Sequence, residues 1–309
     1  MNSISRLNSN RAITVERIKA KYFTSTALAL SLWKIIRGII LFGLCFVILY
    51  PFGVKIIDSF KSFEDYLDPT VKYIPKYFTT NNIKAVFNQM QYSKSFIATM
   101  GFSTLIGLIQ VGICGIVGYG FARFKFRGNK FLFFLVILAL IIPPQTIVVP
   151  LFVKFRFFYG GLNLIGSYWP MIVLASTGLG IKNGLYIFMF RQFFINMPKE
   201  LEEASYIDGC NIFQTFYRVM LPSATTLMVT VFLLSFSWQW TDTTYSNLFM
   251  RGTSLMANAI ANVDGGLEEI MVTNYNNTAA VISVLPIALV YIFGQRFIIQ
   301  GVERSGITG

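Results

Sequence analysis

Residues 198–222, PKELEEASYIDGCNIFQTFYRVMLP, form a polar island between two long apolar blocks. The island carries Lys199, Glu200, Glu202, Glu203, Asp208 and Arg218. Pro198 suits the opening of a helix, because the first turn has no partner for a missing N–H. Glu200, Glu202 and Glu203 then fall near the positive end of that helix, where anionic side chains are favoured. Asp208-Gly209 ends the run, since Asp caps helices and Gly tolerates a turn conformation. From about Asn211 the spacing of Ile212, Phe213, Phe216 and Val219 predicts a second short helix, with Pro222 as its stop. Composition alone accounts for this stretch as an ordinary loop with an amphipathic segment. The order of its residues is more specific than that.

Outward from the island the chain is apolar. Of 309 residues, 54% are hydrophobic, 16% aromatic and only 13% charged, where a soluble domain carries about 25% charged residues. The formal net charge of +12 does not point to nucleic acid, because the basic residues sit at the ends of apolar blocks rather than on one polar face. Cys45, Cys114 and Cys210 are far apart, and two lie inside apolar runs, as small core residues do. The chain has no histidine and no GxxxxGK[ST] phosphate loop. No catalytic set, cofactor site or metal site is expected, and an energy source must lie on another chain.

Six apolar blocks predict an all-α polytopic membrane protein with spans near 35–57, 95–122, 131–152, 167–194, 224–245 and 278–299. The second is rich in Gly, which lets helices approach closely in lipid. Pro143-Pro144 interrupts the third, and Gly178–Gly184 is expected to break the fourth, which is too long for the bilayer core as one straight helix. The organisation predicted is a basic arm over 1–34, a membrane domain over 35–300 and a tail over 301–309. Six spans put both termini on the side of the Arg123–Lys130 loop and the 198–222 island. Lys and Arg concentrate on that side, which makes it cytoplasmic. The 58–93 and 246–275 segments then face outward as polar loops, the latter with a flexible Gly265-Gly266.

Glu203-Ala204-Ser205, two residues, Asp208-Gly209, a spaced aromatic and Leu221-Pro222 resemble the EAA loop of ABC importer permeases. The likeness extends from about residue 35 to the end. Tyr50-Pro51, Tyr119-Gly120-Phe121-Ala122-Arg123, Phe126-Arg127-Gly128, Ile142-Pro143, Pro150-Leu151, Arg191-Gln192-Phe193-Phe194, Trp238-Gln239-Trp240 and Gln295-Arg296-Phe297 with Gly301 occur in matching order. Together they are similar to the carbohydrate-type permeases, the group of the smaller subunit of maltose-type importers. Ser205 and Cys210 depart from the usual Ala residues by small-for-small changes, and Lys182 is an unusual charge for the fourth span. The 1–34 arm is not explained by the resemblance.

The resemblance implies a type I importer permease fold with a cytoplasmic coupling helix, and no ATP hydrolysis on this chain. Its partners would be a second homologous permease, two ATP-binding cassette subunits, an external solute-binding protein and membrane lipid, without nucleic acid. Glu203, Ala204, Ser205, Asp208 and Gly209 are then the ATPase-coupling residues. Ala204 and Ser205 are small enough for close approach, and Glu203 offers a carboxylate for a charged hydrogen bond. Gln145, Lys182, Asn183, Ser235 and Gln239 are candidates for the substrate path. Asp242 shares the spacing of Ser235 and Gln239, while Trp238 and Trp240 read as structural or interfacial rings before they read as substrate contacts. An oligosaccharide or other sugar is the implied cargo. A sugar phosphate or acidic glycan stays open, and so does an ion-driven carrier, although no acid lies at mid-depth in any span.

Overall fold

The computed structural model describes residues 25–264 and 269–306, which are helical with no strand among them. The 1–34 arm lies outside the described residues up to residue 24, and from Ser25 the chain is already the first helix, α1 (Ser25–Asp58). The apolar side chains of α1 from Ile35 to Tyr50 are exposed, and its contacts with the rest of the protein run mainly to the last helix, α14 (Glu269–Gly306). That helix also overruns its predicted end: the expected boundary at 300 falls inside it.

Residues 58–93 are more ordered than a polar loop. They contain α2 (Phe63–Leu67) and α3 (Asn81–Gln89). Buried Asp65 accepts the Lys76 and Tyr77 backbone N–H groups at 3.3 and 3.1 Å. Lys61 pairs with Asp58 at 2.7 Å. Hydrogen bonds from Lys76 and Thr70 hold the Asp68 carboxyl well below the ordinary carboxylate range.

The centre of the fold is α4 (Tyr92–Arg123), an unbroken helix of 32 residues. Its buried positions, among them Thr99, Phe102, Ser103, Ile106, Gln110, Cys114 and Tyr119, recur at helical spacing. Small residues let its neighbours close in: a Cβ on Gly118 would lie 2.5 Å from the Phe190 Cβ, and one on Gly107 3.0 Å from the Phe232 ring. Beyond α4, α5 (Asn129–Ile141) and α6 (Pro144–Arg156) meet at 103° across Ile142-Pro143. Pro144 stands at the start of α6, where its missing N–H is no loss.

The predicted fourth span is two helices, α7 (Trp169–Ser176) and α8 (Asn183–Asn196), separated by residues 177–182. The break has its backbone reason in Gly178, at φ +77°, and Lys182, at φ +60°. After α8 come α9 (Glu200–Ile207) and α10 (Ile212–Ser223), the latter with a π-type turn over Phe216–Met220. Then follow α11 (Thr225–Thr241), α12 (Thr244–Phe249) and α13 (Met256–Ala261). Among the described residues, three helices are long and apolar enough to cross a membrane, over Leu32–Asp58, Tyr92–Arg123 and Met271–Gln300. The number rises to five if the bent pairs α5–α6 and α10–α11 each count as one span. The segment 167–194 is not among them, because each of its halves is shorter than about 20 residues.

The 246–275 segment differs from the polar loop expected. Its described residues take in the end of α12, all of α13 and the start of α14, with Phe249, Met250, Leu255 and Met256 buried. The apolar residues scattered through it supply the reason. Gly265-Gly266, expected to be flexible, lies outside the described residues. Three apolar clusters hold the bundle: one joins α4, α8 and α11 around Tyr186, Phe190 and Leu227. A second joins α4, α6, α7 and α12 around Ile106, Phe155 and Phe249, and a third gathers Val86, Phe236, Trp240 and Ala279.

Candidate functional site

The 198–222 island forms a compact pair of helices. Pro198 lies one residue outside α9 rather than opening it: Lys199 is the cap, and its carbonyl receives the Glu202 and Glu203 N–H groups at 2.9 and 3.0 Å. Asp208 closes α9, and Gly209 adopts φ +82°, a conformation that costs most other residues about 1–2 kcal/mol. The Gly209 and Cys210 N–H groups then return to the carbonyls of Tyr206 and Ser205. Asn211 opens α10 with a reciprocal capping box, its side chain accepting the Gln214 N–H and the Gln214 side chain accepting the Asn211 N–H, both at 2.9 Å. Pro222 is not the stop. The π-type turn carries the chain through it, and the break falls at Ala224, where α11 departs at 76°.

One side of this pair is fastened to the bundle. Glu202 Oε1 accepts the Tyr119 hydroxyl at 2.8 Å and lies 3.4 Å from Arg123 Nε. Arg123 also donates to the Met197 carbonyl at 2.8 Å. Ser205 is buried: its hydroxyl donates to the Glu202 carbonyl at 2.8 Å and meets Thr215 Oγ1 at 2.7 Å. Its small size therefore serves the packing of α9 on α10, not the outward close approach expected of it. The opposite side is open. Glu203, Ala204, Asp208 and Gly209 are exposed, and with them stand Ile207 at 86%, Phe213 at 84% and Tyr217 at 72% exposure.

The second constellation surrounds the break before α8. Gln110 of α4 donates to the Ile181 carbonyl at 2.9 Å and to Asn183 Oδ1, and accepts from the Ser235 hydroxyl of α11. Asn183 in turn donates to the Ala175 carbonyl at 3.3 Å. Gly180 leaves room for this node: a Cβ there would be 2.8 Å from Gln110 Nε2. One turn beyond Ser235, Gln239 is buried with neither amide atom partnered.

The structure thus brings Lys182, Asn183 and Ser235 together, with Gln239 next to them, while Gln145 is exposed and takes no part in the node. Gln110 was not among the sequence candidates, although it is the one amide side chain in the apolar run 95–122. Asp242 leaves the set. Its carboxylate caps α12, accepting the Tyr245 and Ser246 N–H groups at 3.2 and 2.8 Å. The two tryptophans separate as well. Trp240 is buried and donates to the Ser283 carbonyl at 3.1 Å, whereas Trp238 is exposed and carries Lys182 Nζ 4.7 Å above its ring centre.

A cavity of about 550 Å³ opens between α5–α6 and this break, lined by Leu140, Ile147, Leu151, Lys154, Gly178–Gly184 and Tyr245, among others. Lys182 enters it from a left-handed backbone, a strain of about 1–3 kcal/mol for a residue with a Cβ. Among the described residues, no group of His, Cys, Asp or Glu is arranged to hold a metal ion.

A family model described as "Binding-protein-dependent transport system inner membrane component" matches residues 112–304. The chain is 26% identical over 276 residues to the probable ABC transporter permease protein YurM of Bacillus subtilis, covering 88% of this chain and 87% of that one. It is also 26% identical over 277 residues to the arabinooligosaccharides transport system permease protein AraQ of Halalkalibacterium halodurans, covering 86% and 93%. Among solved structures, it superposes with a TM-score of 0.68 and 19% identity on a chain of a bacterial ABC transporter that imports the acidic polysaccharide alginate, covering 86% of this chain and 96% of that one.

Proposed function

The chain belongs to the family of binding-protein-dependent transport system inner membrane components, and from that premise we propose that it is one permease subunit of an ATP-driven importer of a saccharide. Two cassette ATPases supply the energy, a second permease completes the pathway, and an external binding protein delivers the sugar. Both termini and the 198–222 island face the cytoplasm. The sugar reading draws on relatives such as the arabinooligosaccharide permease.

The observation that carries the reading is the two-sided α9–α10 pair. Glu202 ties its inner side to Tyr119 and Arg123 at the end of α4, and its outer side presents Ile207, Phe213 and Tyr217 to whatever docks there. An exposed apolar patch of this kind marks an interaction surface. A rigid link from that surface to the central helix lets movement of a docked ATPase tilt α4 and, through the Gln110 node, the break before α8. Glu203, Ala204, Asp208 and Gly209 form the rim of the docking surface. Ser205 holds the two helices together behind it.

The test is Glu203→Lys in the co-expressed transporter, with Phe213→Asp as a second variant. Membrane insertion should persist, the ATPase subunits should no longer co-purify, and ATP-driven uptake should stop. Normal uptake with ATPases still bound in both variants would sink the docking assignment. Uptake that stopped with a protonophore but survived ATP depletion would replace the importer with an ion-driven carrier.

A further inference from the structure

The cavity between α5–α6 and the break has a charge pattern that saccharide transport in general does not require. Among the described residues, its charged lining is Lys154 and Lys182, with no carboxylate. Neither lysine side chain makes a hydrogen bond or ion pair with a described residue. Lys182 instead rests over the face of Trp238, 4.7 Å from the ring centre.

Its backbone is fixed there. The φ of +60° at Lys182 is followed by Asn183, which Gln110 holds from α4, so the lysine cannot retreat by unwinding the turn. An ammonium over an indole face is attracted to it, yet keeps its hydrogen-bonding protons for a stronger partner.

We propose that this cavity is an anion-reading subsite on the transport path, selecting a saccharide that carries a carboxylate, such as a hexuronate. The proposal rests on the importer reading above. A sugar carboxylate entering the cavity draws the Lys182 ammonium off the ring into a charge-assisted hydrogen bond. Lys154, across the cavity on α6, adds a second positive charge, which a neutral saccharide of the same shape cannot pair. The Tyr245 ring and the backbone of Gly178–Gly184 complete the wall. A lipid phosphate is the other source of an anion for these lysines, and the experiment separates the two.

The experiment uses the purified complete transporter in nanodiscs of phosphatidylcholine, titrated with digalacturonate and with its neutral dimethyl ester, binding being read by tryptophan fluorescence. Digalacturonate should bind at least about tenfold more tightly than the ester, a difference of about 1.4 kcal/mol. Lys182→Met should remove that preference and Lys182→Arg should retain it. If Lys182→Met fails to assemble, Lys154→Met tests the same charge, with a partial loss expected.

Equal binding of the two probes by the wild-type complex would overturn the subsite, as would a preference that survives Lys182→Met. So would a thermal shift produced by phosphatidylglycerol nanodiscs but not by digalacturonate, which would assign the lysines to lipid. The importer reading is judged separately, by whether the wild-type complex retains its ATPases and hydrolyses ATP.

Discussion

At Pro143 the chain turns on hydrogen bonds drawn from its own segment, whereas between Ser176 and Asn183 its own turn bonds, such as Leu179 N–H to the Leu174 carbonyl at 2.9 Å, are joined by a side chain from another helix. The first break bends α5 against α6 by 103°. Its exposed Pro143 carbonyl is met by the Thr146 N–H at 3.1 Å and the Thr146 hydroxyl at 2.7 Å. The second break is met by Gln110, which reaches from α4 to the Ile181 carbonyl and Asn183 and is itself held by Ser235 of α11. Irregular backbone at membrane depth must find partners in the protein or in cavity water. The two breaks meet that demand in different ways, and the difference sets their mechanical character. The bend at Pro143 takes no hydrogen bond from a side chain of α4 or α11, although Phe155 of α6 packs in one cluster with Ile106 of α4. The break before α8 is bonded to both α4 and α11, so a movement there strains the Gln110 node.

Gln110→Leu is the strongest way to break this contrast. It strands the Ile181 carbonyl, Asn183 Oδ1 and the Ser235 hydroxyl in a buried site, at about 1–3 kcal/mol for each group left unpaired. A total near 3 kcal/mol or more is expected, even allowing for partial rearrangement. Thermal denaturation of the detergent-solubilised complex should show a fall of many degrees. A variant melting with the wild type would mean that the break does not depend on α4 at all.

Gly180→Ala probes the same node by crowding it. The added methyl carbon would lie 2.8 Å from Gln110 Nε2 and 3.0 Å from the Ala175 Cα. The amide can shift, but the backbone of α7 cannot do so without cost, so overpacking should destabilise by about 1–3 kcal/mol. Gly178→Ala, where the methyl meets only Ile113 at 4.0 Å but φ is +77°, separates conformational strain from crowding. If Gly178→Ala proved costly while Gly180→Ala proved silent, the break would be governed by dihedral preference and not by the Gln110 contact.

These two breaks also mark what could be read from the chain alone. Pro143-Pro144 and the glycines of 178–184 announce interruptions because their constraints are local: a missing N–H and a missing Cβ act wherever they occur. The α9–turn–α10 pair was legible for the same reason, through Asp208-Gly209 and the residues from Asn211 onward. Gln110 was not legible, because its role depends on which helices lie beside α4, and no local rule states that. Glu202 escaped likewise. In the sequence it is one of three adjacent acids, and only the fold turns it to Tyr119 and Arg123 while leaving Glu203 outside. Pro222 misled in the opposite direction. A helix stop was read from it, but the π-type turn before it re-registers the hydrogen bonds and moves the break to Ala224.

The mildest perturbation, Thr146→Val, tests the other half of the comparison. Valine keeps the branched shape and removes only the hydroxyl that donates to the Pro143 carbonyl. The Thr146 N–H still reaches that carbonyl, so no acceptor is left wholly without a donor, and the position is exposed. The loss should be about 0.5 kcal/mol, at the low end for a neutral hydrogen bond. The bend itself should persist, because the Pro144 ring still excludes a continuous helix. Paired spin labels at Leu132 and Val153 in the assembled transporter should therefore report the same distance in Thr146→Val as in the wild type. In Gln110→Leu, labels at Ile172 and Phe188 should instead report a broadened distribution. A Thr146→Val variant as damaging as Gln110→Leu would show that the Pro143 bend rests on one local hydroxyl as heavily as the other break rests on Gln110, and the division between a locally bonded and a remotely bonded break would be lost.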